Sequence, residues 1–265
     1  MTLIRTRILM FGVVAVFFLI WMYPIAVAIG KSFAINGIGN YLDVLNNPRV
    51  HYFQVIGNSF FVAVSTSLIV IVITSLAGFA FAKMRFRGNR VIYFLLLACL
   101  AVPIASVTMP MFFTIKSLHL VNTFGGVILP LVAFNSLIML LLMKNYYDGV
   151  PDEIIEAATM DGASSLGIFV RIMLPLSVPI IATVGVLTFV YSWNDYLIPL
   201  LFIRDEANYT VTIAATYFMD SRNQSPAQVA QLYAALIMMT IPSVVVYLLS
   251  QRYLQSGITA GAVKS

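Results

Sequence analysis

The sequence is short of charge, cysteine and histidine. Of its 265 residues, 9% are charged and 61% are hydrophobic, whereas a soluble domain carries about 25% charged residues. So few charges cannot solvate a globular surface, which excludes a water-soluble protein. The one cysteine, Cys99, lies inside an apolar run, so neither an internal disulfide nor a cysteine metal cluster can form. The two histidines, His51 and His119, fall outside the apolar runs, with no second ligand at metal spacing and no H-E-x-x-H. Both read as solvated loop residues, and no metal site is expected. A G-x-x-x-x-G-K-[ST] phosphate loop is also missing, so this chain does not bind ATP by that route and is not expected to be an enzyme. The net charge of +5 suits nucleic acid in principle. However, no Lys/Arg-rich face with interleaved aromatics occurs, so no nucleic-acid partner is expected.

What is present is a series of long apolar runs. A bilayer core of about 30 Å needs roughly 20 apolar residues per helix, and segments 8–29, 60–82, 91–113, 124–143, 180–203 and 232–250 meet that length. The expectation is an all-α integral membrane protein with six transmembrane helices, multi-pass in the cell membrane with the lipid bilayer around it. Orientation follows from Lys and Arg. Ten of the fifteen fall in one set of segments: Arg5, Arg7, Lys83, Arg85, Arg87, Arg90, Lys144, Arg171, Arg252 and Lys264. The opposite set holds Lys31, Arg49, Lys116, Arg204 and Arg222. This bias puts both termini in the cytoplasm. The first run ends in Ala26-Val27-Ala28 like a signal peptide, but its roughly 22 apolar residues exceed the usual 7–15-residue signal core. A retained helix is expected.

The chain then divides into a first helix with its outer loop (1–52), a core with five helices (53–251) and a cytoplasmic tail (252–265). The spans carry almost no Lys, Arg, Asp or Glu apart from Asp195. Ion-coupled transporters usually carry such relays, so energy is expected from outside the membrane, although sodium sites can be built from backbone carbonyls. Pro103, Pro110 and Pro199 remove backbone hydrogen bonds and are expected to kink their helices.

The cytoplasmic loop 144–174 is the most informative stretch. Residues 151–162 read as a short helix: Pro151 suits the first helical position, Asp152 and Glu153 suit the positive end of the dipole, and Gly162 is a natural stop. A second segment starts near Ser164 and runs through Phe169 to Pro175. Such a helix–glycine–helix element either packs on its own bundle or offers a face to a soluble partner.

Glu156-Ala157-Ala158, three residues, Gly162, nine residues, then Ile172-Met173-Leu174-Pro175 resembles the EAA motif of ABC importer permeases. Asp161-Gly162-Ala163-Ser164 resembles the sugar-uptake branch. Ser192-Trp193-Asn194-Asp195 resembles the W-N-E/D element of that family, and the tail from Gln251 to Lys264 resembles the maltose-type branch. The resemblance implies a type I ABC importer permease fold and one permease subunit of a binding-protein-dependent carbohydrate importer. It implies alternating access driven by a separate ATPase, with ATP and magnesium held in that partner and no cofactor on this chain. Implied partners are a second homologous permease, an ATP-binding subunit dimer and an extracytoplasmic solute-binding protein.

By the same resemblance, Glu156, Ala157, Ala158, Asp161, Gly162 and Ala163 form the ATPase-coupling element, and Gly257, Gly261 and Lys264 contact the ATPase pair. On its own composition, that Gly/Ala-rich tail is expected to be disordered. The outer loop 204–230 is expected to meet the solute-binding protein. Asn58, Asn135, Tyr191, Trp193, Asn194 and Asp195 can offer hydrogen bonds and an aromatic face to a hydroxylated solute. Helix–helix bonding, or interfacial anchoring for Trp193, is the other reading of those six. The alternative from another class is a nucleotide-independent secondary transporter or channel.

Overall fold

In a computed structural model, residues 2–219 and 225–262 are described, with side chains described for 10–219 and 225–251. Lipid offers no partner to a backbone N–H or C=O, so apolar runs of this length close their hydrogen bonds as helices. Four helices are long and apolar enough to cross a membrane: α1 (Thr2–Ser32), α3 (Tyr52–Lys83), α6 (Phe124–Asp148) and α13 (Pro226–Ala262). Two bent pairs bring the count to as many as six. The first joins α4 (Asn89–Ala98) to α5 (Ile104–Ser117). The second joins the segment Ser165–Leu176 to α10 (Val178–Asn194). Short helices complete the chain: α2 (Gly39–Leu45), α7 (Asp152–Met160), α8 (Ser165–Ile168), α9 (Leu174–Leu176), α11 (Leu197–Phe202) and α12 (Val211–Tyr217).

The chain forms two compact units. One comprises residues 54–213 with 242–265; the other comprises 1–53 with 214–241. In the first, α6 is the central element. Val127, Leu131, Asn135, Met139, Met143 and Tyr147 recur every fourth residue and are all buried, a single stripe on one helix face. The facing stripe of α3 is built from small residues, among them Ser67, Thr74, Ser75 and Gly78. Small side chains let helix backbones approach where no hydrophobic effect drives association. A Cβ on Gly78 would lie 2.9 Å from Met143 Cγ and 3.2 Å from Lys144 N. Ile180 and Val184 of α10 and Ile198 and Phe202 of α11 close the same core.

In the second unit, Asn40 of α2 is fully buried and donates to Ser32 O and Ala34 O, both at 2.9 Å. Gln231 Nε2 reaches Asp43 Oδ2 at 2.9 Å, and the Lys31 ammonium lies over the Tyr233 ring. α1 differs from the other long helices in burying none of its apolar window.

The helix breaks depart from the sequence expectation. Pro103 does break its run: Val102 is extended, as the residue before a proline prefers, and the pair bends by 103°. Pro110 sits inside a continuous α5. Pro199 is the third residue of α11, where the N–H it lacks has no intrahelical acceptor. The interruption instead falls at Asp195, which is extended. An unforeseen 76° bend lies at Ser177, where Pro179 cannot donate to the carbonyl of Pro175 four residues back. Against the expectation of disorder from composition, the described part of the tail is helical: α13 continues through Gly257 and Gly261 to Ala262.

Packing of α6 sets a testable limit. A Cβ on buried Gly126 would fall 2.3 Å from Leu120 O, whereas one on exposed Gly57 meets nothing within 4 Å. Gly126→Ala is expected to cost about 1–3 kcal/mol through overpacking and lower the thermal midpoint in detergent. Gly57→Ala is expected to leave the midpoint unchanged or slightly raised.

Candidate functional site

Loop 144–174 folds into a compact, two-faced element. Pro151 is extended and serves as the N-cap of α7, one position earlier than the sequence suggests. Asp152 and Glu153 occupy the first turn, where the helix dipole favours acids. The C-terminus closes as a Schellman turn. Gly162 takes φ +79°, its N–H donates to Thr159 O, and Ala163 N–H donates to Ala158 O, both at 3.0 Å. A side chain at Gly162 would be strained by this backbone alone. Ser164 then caps α8, its Oγ accepting from Gly167 N at 3.2 Å. The chain runs on through one π-helical stretch, Phe169–Met173, into α9.

One face of the element is fixed to the bundle. Ala158, Ile168, Phe169 and Met173 are buried. Phe169 meets Phe79 with centroids 5.4 Å apart, and Phe79 meets Tyr147 edge-on at 6.4 Å. The Tyr147 hydroxyl donates to Ser177 Oγ at 3.2 Å, and Tyr146 donates to Leu176 O at 2.6 Å, so α6 holds the bend at Ser177 directly. At the other end, Lys83 closes α3 and donates to Val150 O at 2.6 Å and to Asp152 Oδ1 at 2.5 Å. Its side chain is only 5% exposed, while that of Asp152 is 73% exposed. The hydrogen bond and charge of Lys83 hold the Asp152 carboxyl below its ordinary range, with Arg85 adding a smaller pull.

The other face is open. Glu156, Ala157, Asp161 and Gly162 are exposed, and Ala163 is half-buried. Beside α7 lies a cleft of about 950 Å³ lined by Arg85, Arg87, Asn89, Ile155, Glu156 and Thr159. Two residues without a place in the sequence motif belong to this face. Met160 is 88% exposed and Leu166 is 66% exposed. Sequence reasoning treats methionine as filler; only the helix register shows Met160 presented at the tip of α7.

The six polar or aromatic span residues separate into two groups. Asn58 donates to the carbonyls of Ala207 and Tyr209 at 2.8 and 3.0 Å, pinning the loop after α11. Trp193 is buried and stacks on Phe189, and Asn194 donates back to Val190 O. By contrast, Asn135, Tyr191 and Asp195 line one cavity of about 360 Å³. Within the loop 204–230, Asn122 organises the first residues: its Oδ1 accepts from Arg204 N and Asp205 N, both at 3.0 Å. Asp220 to Gln224 lie outside the described residues, as does Lys264, and the side-chain surroundings of Gly257 and Gly261 are likewise outside them.

The Lys83 clamp predicts a pH signature. Because the Asp152 pKa is lowered, the ionised bridge contributes stability above the ordinary carboxylate pKa and loses it as pH falls through the lowered value. Amide-exchange protection of α7, normalised for intrinsic exchange, should hold from neutral pH to about pH 4 and fall below that. Lys83→Met should lower protection across the whole range and remove the step.

Known proteins resemble the chain along most of its length. The family described as "Binding-protein-dependent transport system inner membrane component" matches residues 71–260. The trehalose/maltose transport system permease protein MalG of Thermococcus litoralis is 30% identical, over 97% of this chain and 94% of its own length. The osmoprotective compounds uptake permease protein GgtD of Synechocystis is 37% identical, over 86% of this chain and 75% of its own. A chain in the crystal structure of a bacterial ABC transporter involved in the import of the acidic polysaccharide alginate superposes with a TM-score of 0.81. It is 22% identical and covers 94% of this chain and 96% of its own, a likeness of fold. The α7–α8 element therefore sits in a bundle whose sequence and fold agree: the chain belongs to the binding-protein-dependent inner membrane permeases of ABC importers.

Proposed function

We propose that this permease moves a sugar or oligosaccharide into the cytoplasm, and that α7 is the lever through which a separate ATPase drives it. The observation that carries the reading is the two-faced construction of α7–α8. Its inner face is locked to α3 and α6 through Phe169, Ala158 and the Lys83 clamp. Its outer face presents Glu156, Ala157, Met160, Asp161 and Leu166 with nothing over them. A capped helix with both ends bonded moves as a rigid body, so displacement at its outer face reaches the bundle. ATP binding in the partner shifts the bundle only if the partner grips one bundle state better than the other. Glu156 supplies a charge for a basic group in that grip, and Ala157 supplies close approach.

The remaining assignments follow the same reading. The basic end, with Lys83, Arg85, Arg87 and Arg90, lies in the cytoplasm together with both termini. ATP and magnesium reside in an ATP-binding subunit dimer, and Gly257, Gly261 and Lys264 extend the contact with it. The apolar circumference of α1, with Phe11 75% and Trp21 74% exposed, suits a second homologous permease as well as lipid. The loop 204–230 faces an extracytoplasmic solute-binding protein. Carbohydrate as the solute rests on the names of relatives, which include permeases for trehalose/maltose, arabinooligosaccharides and diacetylchitobiose.

Glu156→Lys in the assembled importer should reduce sugar uptake at least tenfold while the chain remains inserted and helical. Met160→Asp should do the same, because it places a charge on the apolar tip. Co-purification of the ATPase measures the cause directly, and both variants should lose it. Undiminished uptake in Glu156→Lys would sink the lever reading in favour of a nucleotide-independent transporter.

A further inference from the structure

The cavity shared by Asn135, Tyr191 and Asp195 has a polar inventory that selects its occupant. Two helix interruptions build its walls: Val102 and Ile104 flank the Pro103 break, and Asp195 itself ends α10. Interrupted helices line solute sites in several transporter folds because the broken backbone must be satisfied by protein or by a polar cavity. Asp195 Oδ1 accepts from Ile198 N at 2.8 Å and caps α11. Its Oδ2 has no partner among the described residues, and no Lys or Arg there forms an ion pair with it. Asn135 is buried and spends its amide nitrogen on Leu131 O at 2.8 Å, leaving Oδ1 without a partner among the described residues. Tyr191, half exposed, adds a ring face and a hydroxyl.

The two side-chain oxygens left without a partner, Asp195 Oδ2 and Asn135 Oδ1, are both acceptors, and Tyr191 adds a hydroxyl that can donate or accept. A ligand that engages these two oxygens must bring donors, and a second carboxylate beside Asp195 would meet like charge. We infer that this cavity is a solute subsite on this chain, taking a neutral, hydroxyl-rich ring at Asn135, Tyr191 and Asp195 and rejecting acidic sugars. The carboxylate accepts one ring hydroxyl, Asn135 Oδ1 accepts another, and the apolar face of the ring lies on Tyr191. At about 360 Å³ the cavity is at the small end of the roughly 300–1,000 Å³ range of small-molecule sites, enough for one ring of a longer solute at a time. The inference rests on the sugar-importer reading above and names the solute class for it.

Cys99 is the only cysteine of the chain and lines the same cavity, which provides a probe without mutation. The assembled importer in nanodiscs is first tested for uptake of maltose, trehalose, arabinotriose and diacetylchitobiose. Labelling of Cys99 by a small polar methanethiosulfonate is then followed by intact mass, alone and with the imported sugar, glucuronate or choline. The imported neutral sugar should slow labelling at least threefold and saturably, while glucuronate and choline should not. Asp195→Asn keeps the α11 cap but turns the free acceptor into a donor; it should abolish protection and cut uptake roughly tenfold, the size of one lost charged hydrogen bond. Tyr191→Ala, at an exposed position, should weaken protection without touching the cap.

Import of none of the four sugars overturns the carbohydrate reading, and the subsite with it. Import with Cys99 unreactive, or equally reactive with and without the imported sugar, overturns the subsite alone. Protection by choline or glucuronate as strong as by the sugar also overturns it, since the cavity would then select by charge.

Discussion

The α7–α8 element is seated on the bundle by a layer in which Phe79 meets both Phe169 and Tyr147, with the Lys83 clamp at its other end. The α7–α8 element is only two short helices and a π-helical stretch, too short to hold a shape by propensity. Its rigidity is borrowed from α3 and α6, which are themselves brought together by the absence of a side chain at Gly78. Remove that close approach and Met143, Tyr147 and Phe79 no longer share one layer with Phe169 and Met173. The hydroxyl of Tyr147 extends the same layer to Ser177, so the bend before α10 and the seat of α8 are one structure. A force on the outer face of α7 therefore reaches α6 and α10 together.

This arrangement explains why the polar groups of the bundle stay local. Ser67 and Thr74 return their hydroxyls to carbonyls four residues back in α3, and Asn194 does the same in α10. Such bonds satisfy the side chain in lipid or in the core without tying one helix to another. Cross-helix polar ties gather instead at the two ends, through Lys83 and Tyr146 at one and through Asn58 and Asn122 at the other. Apolar middles that slide and polar ends that hold suit a bundle which alternates between two packings.

Much of the α7–α8 element is legible in the sequence because its signals are local. Acids in the first turn, Gly162 at the stop and Ser164 at the next cap each act within four residues of themselves, and all appear where the spacing places them. The apolar runs are equally plain. What escapes is long-range. The loop bonds of Asn58 reach about 150 residues along the chain, and nothing near Asn58 announces them. Proline rules find the break at Pro103 but not the one at Asp195, where a side chain capping the next helix replaces the covalent constraint. Met160 and Leu166 look like core residues until their register is known, because composition cannot distinguish a lipid-facing methionine from one presented to a partner.

The same distinction between spent and unspent polar groups bears on specificity. A polar residue inside a membrane bundle is costly unless it has a partner, and Ser67, Thr74, Asn135, Thr183 and Asn194 each find one in the carbonyl four residues back in their own helix. Asp195 is half-exceptional: one oxygen organises α11, the other has no partner among the described residues, and the residue lines a cavity together with Asn135 and Tyr191. A purely structural cap needs only one oxygen, and Ser, Thr or Asn serves it as well. A carboxylate adds a second acceptor and a charge beyond what the cap needs, which under the proposed subsite serve a solute with hydrogens to donate. On that proposal, specificity for a donor-rich solute comes from the acceptors the fold leaves unfilled, in addition to whatever selection precedes delivery to the membrane.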